Sequence, residues 1–424
     1  MLFRSQDVIN FAVLDHDAVM VAAAGNTSSE EADYPPAYTN VVSVAATSSN
    51  DAKAGFSTYD FSVDVCAPGN QIYSTVFNNT YTSYSGTSMA SPIAAGGVGL
   101  IRSRFPAMNA LQAAEQLRIT CDNIYNTPTS NSAYRDKLGK GRINLYKAVT
   151  DTTSPGVIVE NLATSDNNDN VFVAGDTLRF QALFHNLLRP TTNLTCTLST
   201  SSTNITILPT TFNPGVVNSG DTISNFSLPF RAIINPGTPL NTVVPFKITM
   251  YNGTWNDFYA FNITVNVDYI NIEINDVGTS ITSKGLIGYN ESGQLQGIGF
   301  TYQGGPTILY EMGLMVGATG TQVSDNVRGT GSTYDTDFSS VVTVTGQHPG
   351  TVSDYDAYGR FADNGSTSTS PLPVLISHRA YAWVQPAADR KYIIVEYTIR
   401  NTGSATLNGL YGGIFADWDI PNYA

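Results

Sequence analysis

Hydrophobic and polar positions follow one rule early in the chain and another later on. Up to about residue 150, apolar residues recur at helical spacing in Arg4–Asp15, Ala90–Arg104 and Asn109–Arg118. Between these segments lie short, continuous apolar runs rich in Val and Ala: Val19–Ala24, Val41–Ala46 and Val63–Cys66. Amphipathic helices alternating with such runs predict an α/β domain built on a largely parallel sheet. The segment Asp151-Thr152-Thr153-Ser154-Pro155-Gly156 then reads as a linker.

From Val157 onward the pattern changes to period two. Thr177–Leu183, Thr222–Phe230, Val243–Tyr251 and Phe258–Val267 each alternate apolar and polar residues, so each is expected to form a strand. Turn signals separate them, at Asn213-Pro214-Gly215, Asn218-Ser219-Gly220 and Asn235-Pro236-Gly237. This spacing predicts an antiparallel sandwich of immunoglobulin type. A second β-rich block begins near Tyr269 and includes Gly297–Tyr302, Ile308–Val316, Val341–Thr345 and Tyr392–Arg400. Thr398–Gly409 reads as a strand, an Asn-Thr-Gly turn and a second strand. The sequence ends at Ile414–Ala424 close behind an apolar segment, which reads as truncation inside a domain. The expected organisation is multi-domain: a partial α/β domain over 1–150, an immunoglobulin-like β-sandwich over 151–268, and a further mainly-β sandwich domain over 269–424.

Composition narrows the function classes. Hydrophobic residues make up 42% of the 424, enough for packed cores, while only 13% are charged. Low charge with abundant Ser, Thr, Asn, Gly and Tyr suits hydroxyl-rich sheets of exported proteins, so a secreted or cell-surface location is expected. The net charge of −13 repels phosphate backbones and argues against a nucleic-acid partner. No apolar run approaches the roughly 18 residues of a membrane span. The start, MLFRSQDVINFAV, is too short in apolar residues and too polar for a secretory signal. Cys66, Cys121 and Cys196 are odd in number and far apart, which predicts buried thiols rather than a disulfide framework or zinc site.

Two segments carry candidate chemistry. The first is Ser85-Gly86-Thr87-Ser88-Met89-Ala90-Ser91-Pro92, with a helix expected to begin at or near Ser88 and Pro92 expected in its first turn. A serine there lies among unpaired backbone N–H groups and a favourable dipole, a setting that suits an oxyanion. The second is Val21-Ala22-Ala23-Ala24-Gly25-Asn26, a buried strand of small residues ending at the carboxyl edge of a parallel sheet, where open α/β folds place ligands. An asparagine amide at that edge can donate to a developing oxyanion.

These segments resemble the subtilisin-like serine proteases, the subtilases. The resemblance continues through Tyr34-Pro35-Pro36-Ala37-Tyr38, Asn40–Ala46, Phe56-Ser57, Val63–Gly69, Ile72–Thr75 and Gly139-Lys140-Gly141-Arg142-Ile143-Asn144. Asn26 and Ser88 stand 62 residues apart, which fits the family's layout. The resemblance implies a hydrolase of peptide bonds with protein or peptide substrates. It implies Ser88 as nucleophile, with Asn26 and the Ser88 N–H as oxyanion hole. Ala23, Ala24, Gly25, Gly86 and Thr87 are then substrate-binding, and the Tyr34–Pro35 bond matches a family position that is often cis.

The departure from the family is large. Its catalytic Asp and His precede the oxyanion Asn by a long stretch, whereas 25 residues precede Asn26 here and carry neither motif. Asp15-His16-Asp17 does not replace them, because it lies at the start of the strand that ends near Asn26, roughly 25 Å away at ~3.3 Å per residue. His185, His348 and His378 fall in the β blocks. The expectation is a fragment of a secreted serine endopeptidase that is inactive alone. The alternative is an extracellular binding or adhesion protein with a degenerate protease domain, its β blocks binding polysaccharide or matrix. No cofactor is expected and calcium stays open. Asp417-Trp418-Asp419-Ile420-Pro421-Asn422 and Asp166–Asn170 read as polar turns before metal loops.

Overall fold

The computed structural model describes residues 5–126, 128–166, 171–319, 322–329, 334–365, 367–368 and 370–419. The chain divides into two compact units. One comprises Met1–Thr164, Thr177–Ile233 and Val244–Ile263; the other comprises Ser165–Asp176, Ile234–Val243 and Thr264–Ala424.

The first unit opens with α1 (Ser5–Asn10), continued by a π-helical turn over Phe11–Asp15. Three strands follow, β1 (Met20–Ala23), β2 (Val41–Thr47) and β3 (Val65–Pro68), pairing in parallel in the order β1-β2-β3. Val21 lies opposite Val42, and Val44 opposite Val65. All seven residues of β2 are buried, as expected of a central parallel strand covered on both faces. A separate hairpin, β4 (Ile72–Val76) with β5 (Thr80–Tyr84), leads into α2 (Thr87–Arg104). Ala90, Ala94, Val98 and Ile101 of α2 pack on Val42, Val44 and Val65. Gly97 lies on the packed face of this helix, where a Cβ would come 2.6 Å from Leu145; at Gly96 and Gly99 a Cβ would meet nothing within 4 Å.

Next comes α3 (Ala110–Ile119), whose start is a capping box. Asn109 Oδ1 accepts from Gln112 N at 2.9 Å, and Gln112 Oε1 accepts from Asn109 N at 3.0 Å. The short α4 (Leu145–Thr150) is capped by Asn144.

Antiparallel sheets then take over. The first unit contains β6 (Val157–Ser165), β7 (Thr177–Asn186), β8 (Leu194–Thr200), β9 (Ile205–Leu208), β10 (Thr211–Gly215), β11 (Thr222–Ser224), β12 (Phe230–Ile234), β13 (Thr242–Asn252) and β14 (Trp255–Val265). They form one sheet of order β10-β8-β13-β14 and another of order β11-β7-β12-β9, with β6 added to β7. Rings from the two sheets meet: Phe180 lies 4.9 Å from Phe246, and Phe184 lies 5.7 Å from Phe212. Thr222–Phe230 is not the single strand its alternation predicts. Asn225 is buried and its side chain accepts from Ala182 N at 2.7 Å and donates to Phe180 O at 3.1 Å. A side chain thereby takes the place of a backbone rung, and the chain turns between β11 and β12.

The second unit has a seven-stranded sheet and a four-stranded sheet. The larger holds β15 (Tyr269–Ile272), β16 (Val277–Thr282), β17 (Leu286–Ile287), β18 (Phe300–Tyr302), β19 (Leu309–Thr319), β20 (Gln322–Ser324) and, from the end of the chain, Tyr411–Trp418 paired with β19. The smaller runs β21 (Phe338–Gln347), β22 (Tyr355–Asp363), β23 (Val374–Ala382), β24 (Ile394–Asn401), in that order. Leu314 and Val316 from the first pack with Phe338, Phe361 and Ile376 from the second. Thr398–Gly409 is not a strand–turn–strand: β24 ends at Asn401, no strand forms over 402–410, and the next strand joins the other sheet. The Asn401 side chain accounts for the break, donating to Ala405 O at 2.7 Å and accepting from Gly403 N at 2.8 Å.

Cys66 and Cys196 are buried, Cys121 is half-buried, and all three thiols are free. No described helix is long and apolar enough to cross a membrane.

Candidate active site

The site is assembled where the carboxyl end of β1 meets the first turn of α2. Ala24 extends β1 by donating to Val44 O at 3.0 Å. Gly25 then turns the chain with φ of +110°, a conformation that side chains rarely adopt. A Cβ there would also come 2.8 Å from Thr58 Oγ1 and 3.0 Å from Asp33 Oδ2, so only glycine fits.

Asn26 follows and its amide is locked to α2. Its Oδ1 accepts from Thr87 N at 2.9 Å, and the Thr87 hydroxyl lies 3.1 Å away. That hydroxyl also accepts from Gly25 N at 3.3 Å and lies 3.2 Å from Gly25 O. A backbone N–H can only donate, so it fixes which end of the amide faces α2 and leaves Nδ2 directed elsewhere. Among the described residues Nδ2 has no hydrogen-bond partner.

Ser88 is the second residue of α2 and is exposed. Neither its hydroxyl nor its N–H has a hydrogen-bond partner among the described residues. Gly86 joins the two elements: a Cβ on it would lie 3.6 Å from Ser88 N and 3.8 Å from Asn26 Oδ1. Its N–H donates to Gly69 O at 2.8 Å. Gly69 is there because a Cβ would strike Ala46 at 2.6 Å. Ser85 Oγ secures the approach by donating to Asn70 Oδ1 and accepting from Gln71 N, both at 2.9 Å. The arrangement offers two free donors, Asn26 Nδ2 and Ser88 N, at a helix N-terminus whose dipole favours negative charge, beside an exposed hydroxyl.

Ala23, Ala24 and Gly25 line the end of β1, with Ala24 buried and the other two half-buried. Gly86 and Thr87 are both buried. The structure thus brings together all seven residues singled out from the sequence. Thr58 and Asp33, which frame Gly25 from below, were missed. Thr58 sits directly behind Phe56-Ser57, and Asp33 directly before Tyr34-Pro35, so motif edges were the available signal. The Tyr34–Pro35 peptide is cis.

Pro92 departs from its expected place. Because α2 begins at Thr87, Pro92 is its sixth residue, beyond the first turn, and the helical donor for the Ser88 carbonyl is missing.

His16 lies at the end of the helix before β1 and stacks edge-on against Phe11 at 4.3 Å. Its neighbour Asp17 pairs with Arg102 at 2.6 Å and accepts from Ala110 N at 2.6 Å. Arg102 is 14 residues along α2 from Ser88, about 21 Å at 1.5 Å per residue, so this trio clamps the opposite end of the helix. His185 belongs to β7, with Glu160 3.8 Å away.

Among the described residues no group of three or more His, Cys, Asp or Glu is placed to hold a metal. Asp417 is paired with Arg328 at 2.8 Å. Residues 167–170 and 420–422 of the two polar segments lie outside the described residues.

Residues 5–141 match the model of the subtilase family. Thermitase of Thermoactinomyces vulgaris is 44% identical over 144 residues, covering 34% of this chain and 48% of that protein. Subtilisin DY of Bacillus licheniformis is 42% identical over 134 residues, covering 31% and 46%. A solved protease structure from Pseudoalteromonas arctica shares 30% identity with a TM-score of 0.31, covering 34% of this chain and 45% of that one. The chain spans about half the length of the curated relatives it matches. With the β1–Asn26 turn and the Gly86-Thr87-Ser88 helix start joined as described, residues 5–141 are the part of this chain that resembles the subtilase family.

Proposed function

We propose that this chain contributes the nucleophile and oxyanion site of a secreted serine endopeptidase. Ser88 Oγ attacks the scissile carbonyl of a peptide substrate, and Asn26 Nδ2 and Ser88 N hold the oxygen as it gains charge. The observation that carries this reading is the Asn26–Thr87 lock, which leaves those two donors unpaired beside the serine. Removing one such donor typically costs about 2.7–4 kcal/mol of barrier.

The general base and its carboxylate come from outside this chain. Ser88 Oγ meets none of the chain's four histidines, and a serine without a base is a weak nucleophile at neutral pH. The chain alone is therefore inactive. The facing antiparallel sheets over 151–268 are read as an immunoglobulin-like module and 269–424 as a further sandwich, following the catalytic part at 1–150.

The test uses a peptide boronic acid, whose boron accepts the serine oxygen without a general base. Formation of the Oγ–B bond releases the serine proton to water and gives a tetrahedral boronate, visible by boron NMR. The expected result is a tetrahedral signal that Ser88→Ala abolishes and Asn26→Ala weakens, with no turnover of a fluorogenic peptide. An adduct indifferent to Ser88→Ala overturns the assignment of the nucleophile. Turnover at a normal rate, lost in Ser88→Ala, overturns the reading that the base lies outside this chain.

A further inference from the structure

The four-stranded sheet buries one face and leaves the other open. Phe361 and Ile376 pack in the core with Leu314 and Val316, while the alternate positions of β22 and β23 are only half-buried or exposed. On this open face Tyr358 of β22 stands opposite Arg379 of β23, and Arg360 stands opposite Ser377. Arg379 in turn faces Glu396 of β24, and Arg400 of β24 lies on the same face opposite Leu375. The remaining strand, β21, carries no charged residue.

Two of these arginines share one ring. The guanidinium carbons of Arg360 and Arg379 lie 5.8 and 5.6 Å from the centroid of Tyr358, and Arg360 Nε donates to the Tyr358 hydroxyl. Neither arginine has an ion pair among the described residues, and Arg379 and Arg400 have no hydrogen bond there either. The acids of the face are engaged elsewhere. Glu396 accepts from the Tyr381 hydroxyl at 3.4 Å instead of meeting Arg379 across the rung. Asp356 accepts from the N–H groups of Thr351, Val352 and Ser353. Two guanidinium groups are thus held side by side, steadied by one aromatic face, with most of their donors unfilled.

Aromatic rings continue from this pair. Tyr381 lies on the same face one alternation beyond Arg379, Trp383 lies 6.3 Å from Tyr381, and Tyr392 lies 6.2 Å from Trp383. We propose that this face of β22, β23 and β24 binds an acidic polysaccharide, its carboxylate or sulfate groups held by Arg360 and Arg379 and its sugar rings against Tyr381 and Trp383. The inference does not depend on Ser88. A guanidinium takes a planar oxyanion through two parallel N–H···O bonds, a match that a lysine ammonium cannot make. The apolar side of a sugar ring lies flat on an aromatic face while its hydroxyls stay in water. Charges are screened beyond ~8 Å at physiological ionic strength, so the patch acts locally although the chain carries a net charge of −13. A nucleic acid, charged at every phosphate, would extend over the acidic surroundings and be repelled.

The experiment titrates the full chain calorimetrically with oligogalacturonate, with sulfated dextran and with neutral dextran. At least one acidic glycan is expected to bind and neutral dextran is not; the acidic arm that binds tells carboxylate from sulfate recognition. The double variant R360Q/R379Q should weaken that binding by about 10-fold or more, the range of two charge-assisted contacts. R360K/R379K keeps both charges but loses the planar forks, and should weaken it by about 3- to 5-fold. An unchanged thermal midpoint in the lysine variant shows that its loss is one of recognition. Arg104→Gln, which removes an exposed cation elsewhere on the chain, should leave binding unchanged. Failure of both acidic glycans to bind overturns the proposal, as does full binding by R360Q/R379Q or an equal loss in Arg104→Gln. Tighter binding of polyglutamate or of a single-stranded oligonucleotide overturns the choice of a glycan as partner.

Discussion

The two edges of the parallel β1-β2-β3 layer are treated very differently. Beyond β3 the layer is closed by backbone: Cys66 N donates to Gly141 O at 2.7 Å, Ile143 N to Cys66 O at 2.9 Å, and Lys140 N to Asp64 O at 2.9 Å. Gly139 and Gly141 permit this approach, since a Cβ on either would sit 2.1 Å from a carbonyl oxygen. The same turn is tied to the antiparallel sheets through Asp257, whose fully buried carboxylate receives Arg118 and, at 3.0 Å, Lys140. Arg118 in turn holds Glu115 at 2.8 Å. Beyond β1, no strand pairs with the layer among the described residues. The helices packed against β1 expose apolar side chains, Val8, Phe11 and Leu14 on one and Leu100 on the other. One edge is finished with charge and backbone; the other carries no pairing strand among the described residues.

The sharpest way to break this contrast is at Asp257. Asp257→Ala leaves Arg118 and Lys140 buried without their shared acceptor, and should cost about 3–5 kcal/mol in chemical denaturation. A loss below about 1 kcal/mol would mean that the closed edge does not depend on the ion pairs.

Helix α2 offers the next test, because its glycines face in different directions. Gly97→Ala should cost about 1–3 kcal/mol through overpacking against Leu145 and Leu117. A neutral result would show that α4 yields easily.

Acid should strengthen the closed edge. The Asp64 carboxyl accepts from Ser43 N at 2.8 Å, and burial pushes its pKa up to about 6 from 3.8. Between these values the folded chain holds a proton that the unfolded chain releases. Stability is then fully present below about pH 4 and declines as pH rises through 6, by about 3 kcal/mol. Asp64→Asn should flatten a plot of midpoint against pH in this window; an unchanged slope would assign it to another group.

The smallest effects belong to the open face of α2. Gly96→Ala and Gly99→Ala meet no neighbour and should each stabilise by about 0.5–1 kcal/mol through helix propensity alone. Destabilisation by either would mean that this face is already covered in solution, and would sharpen the contrast into a question of what covers it.

How far the sequence predicts this structure depends on whether a residue acts through period or through its own hydrogen bonds. The parallel strands and both long helices were legible because apolar spacing and the Asn109–Gln112 box are local signals. The β1–α2 site was legible because eight consecutive residues around Ser88 and six ending at Asn26 carry its chemistry. Asn225 and Asn401 were not, since each imitates backbone pairing with a side chain and interrupts an alternation that otherwise continues. Thr87 was named only as substrate-binding, and its hydroxyl bonds to Gly25 and Asn26 depend on a contact across more than 60 residues. Asp33 escaped because a single acid before a Tyr-Pro pair carries no periodic mark.

The position of Pro92 has a mechanical consequence for Ser88. A helix normally carries its first turn as cargo, coupled to the shaft by successive rungs. Here the rung from residue 92 to Ser88 is absent, while Thr87 is fastened to Gly25 and Asn26 at the tip of β1. The Ser88 hydroxyl and N–H and the Asn26 amide therefore share one mounting, the strand tip. A bend of α2 at Pro92 leaves the distance between the Ser88 hydroxyl and the Asn26 amide unchanged, while Asp17 holds the helix's far end.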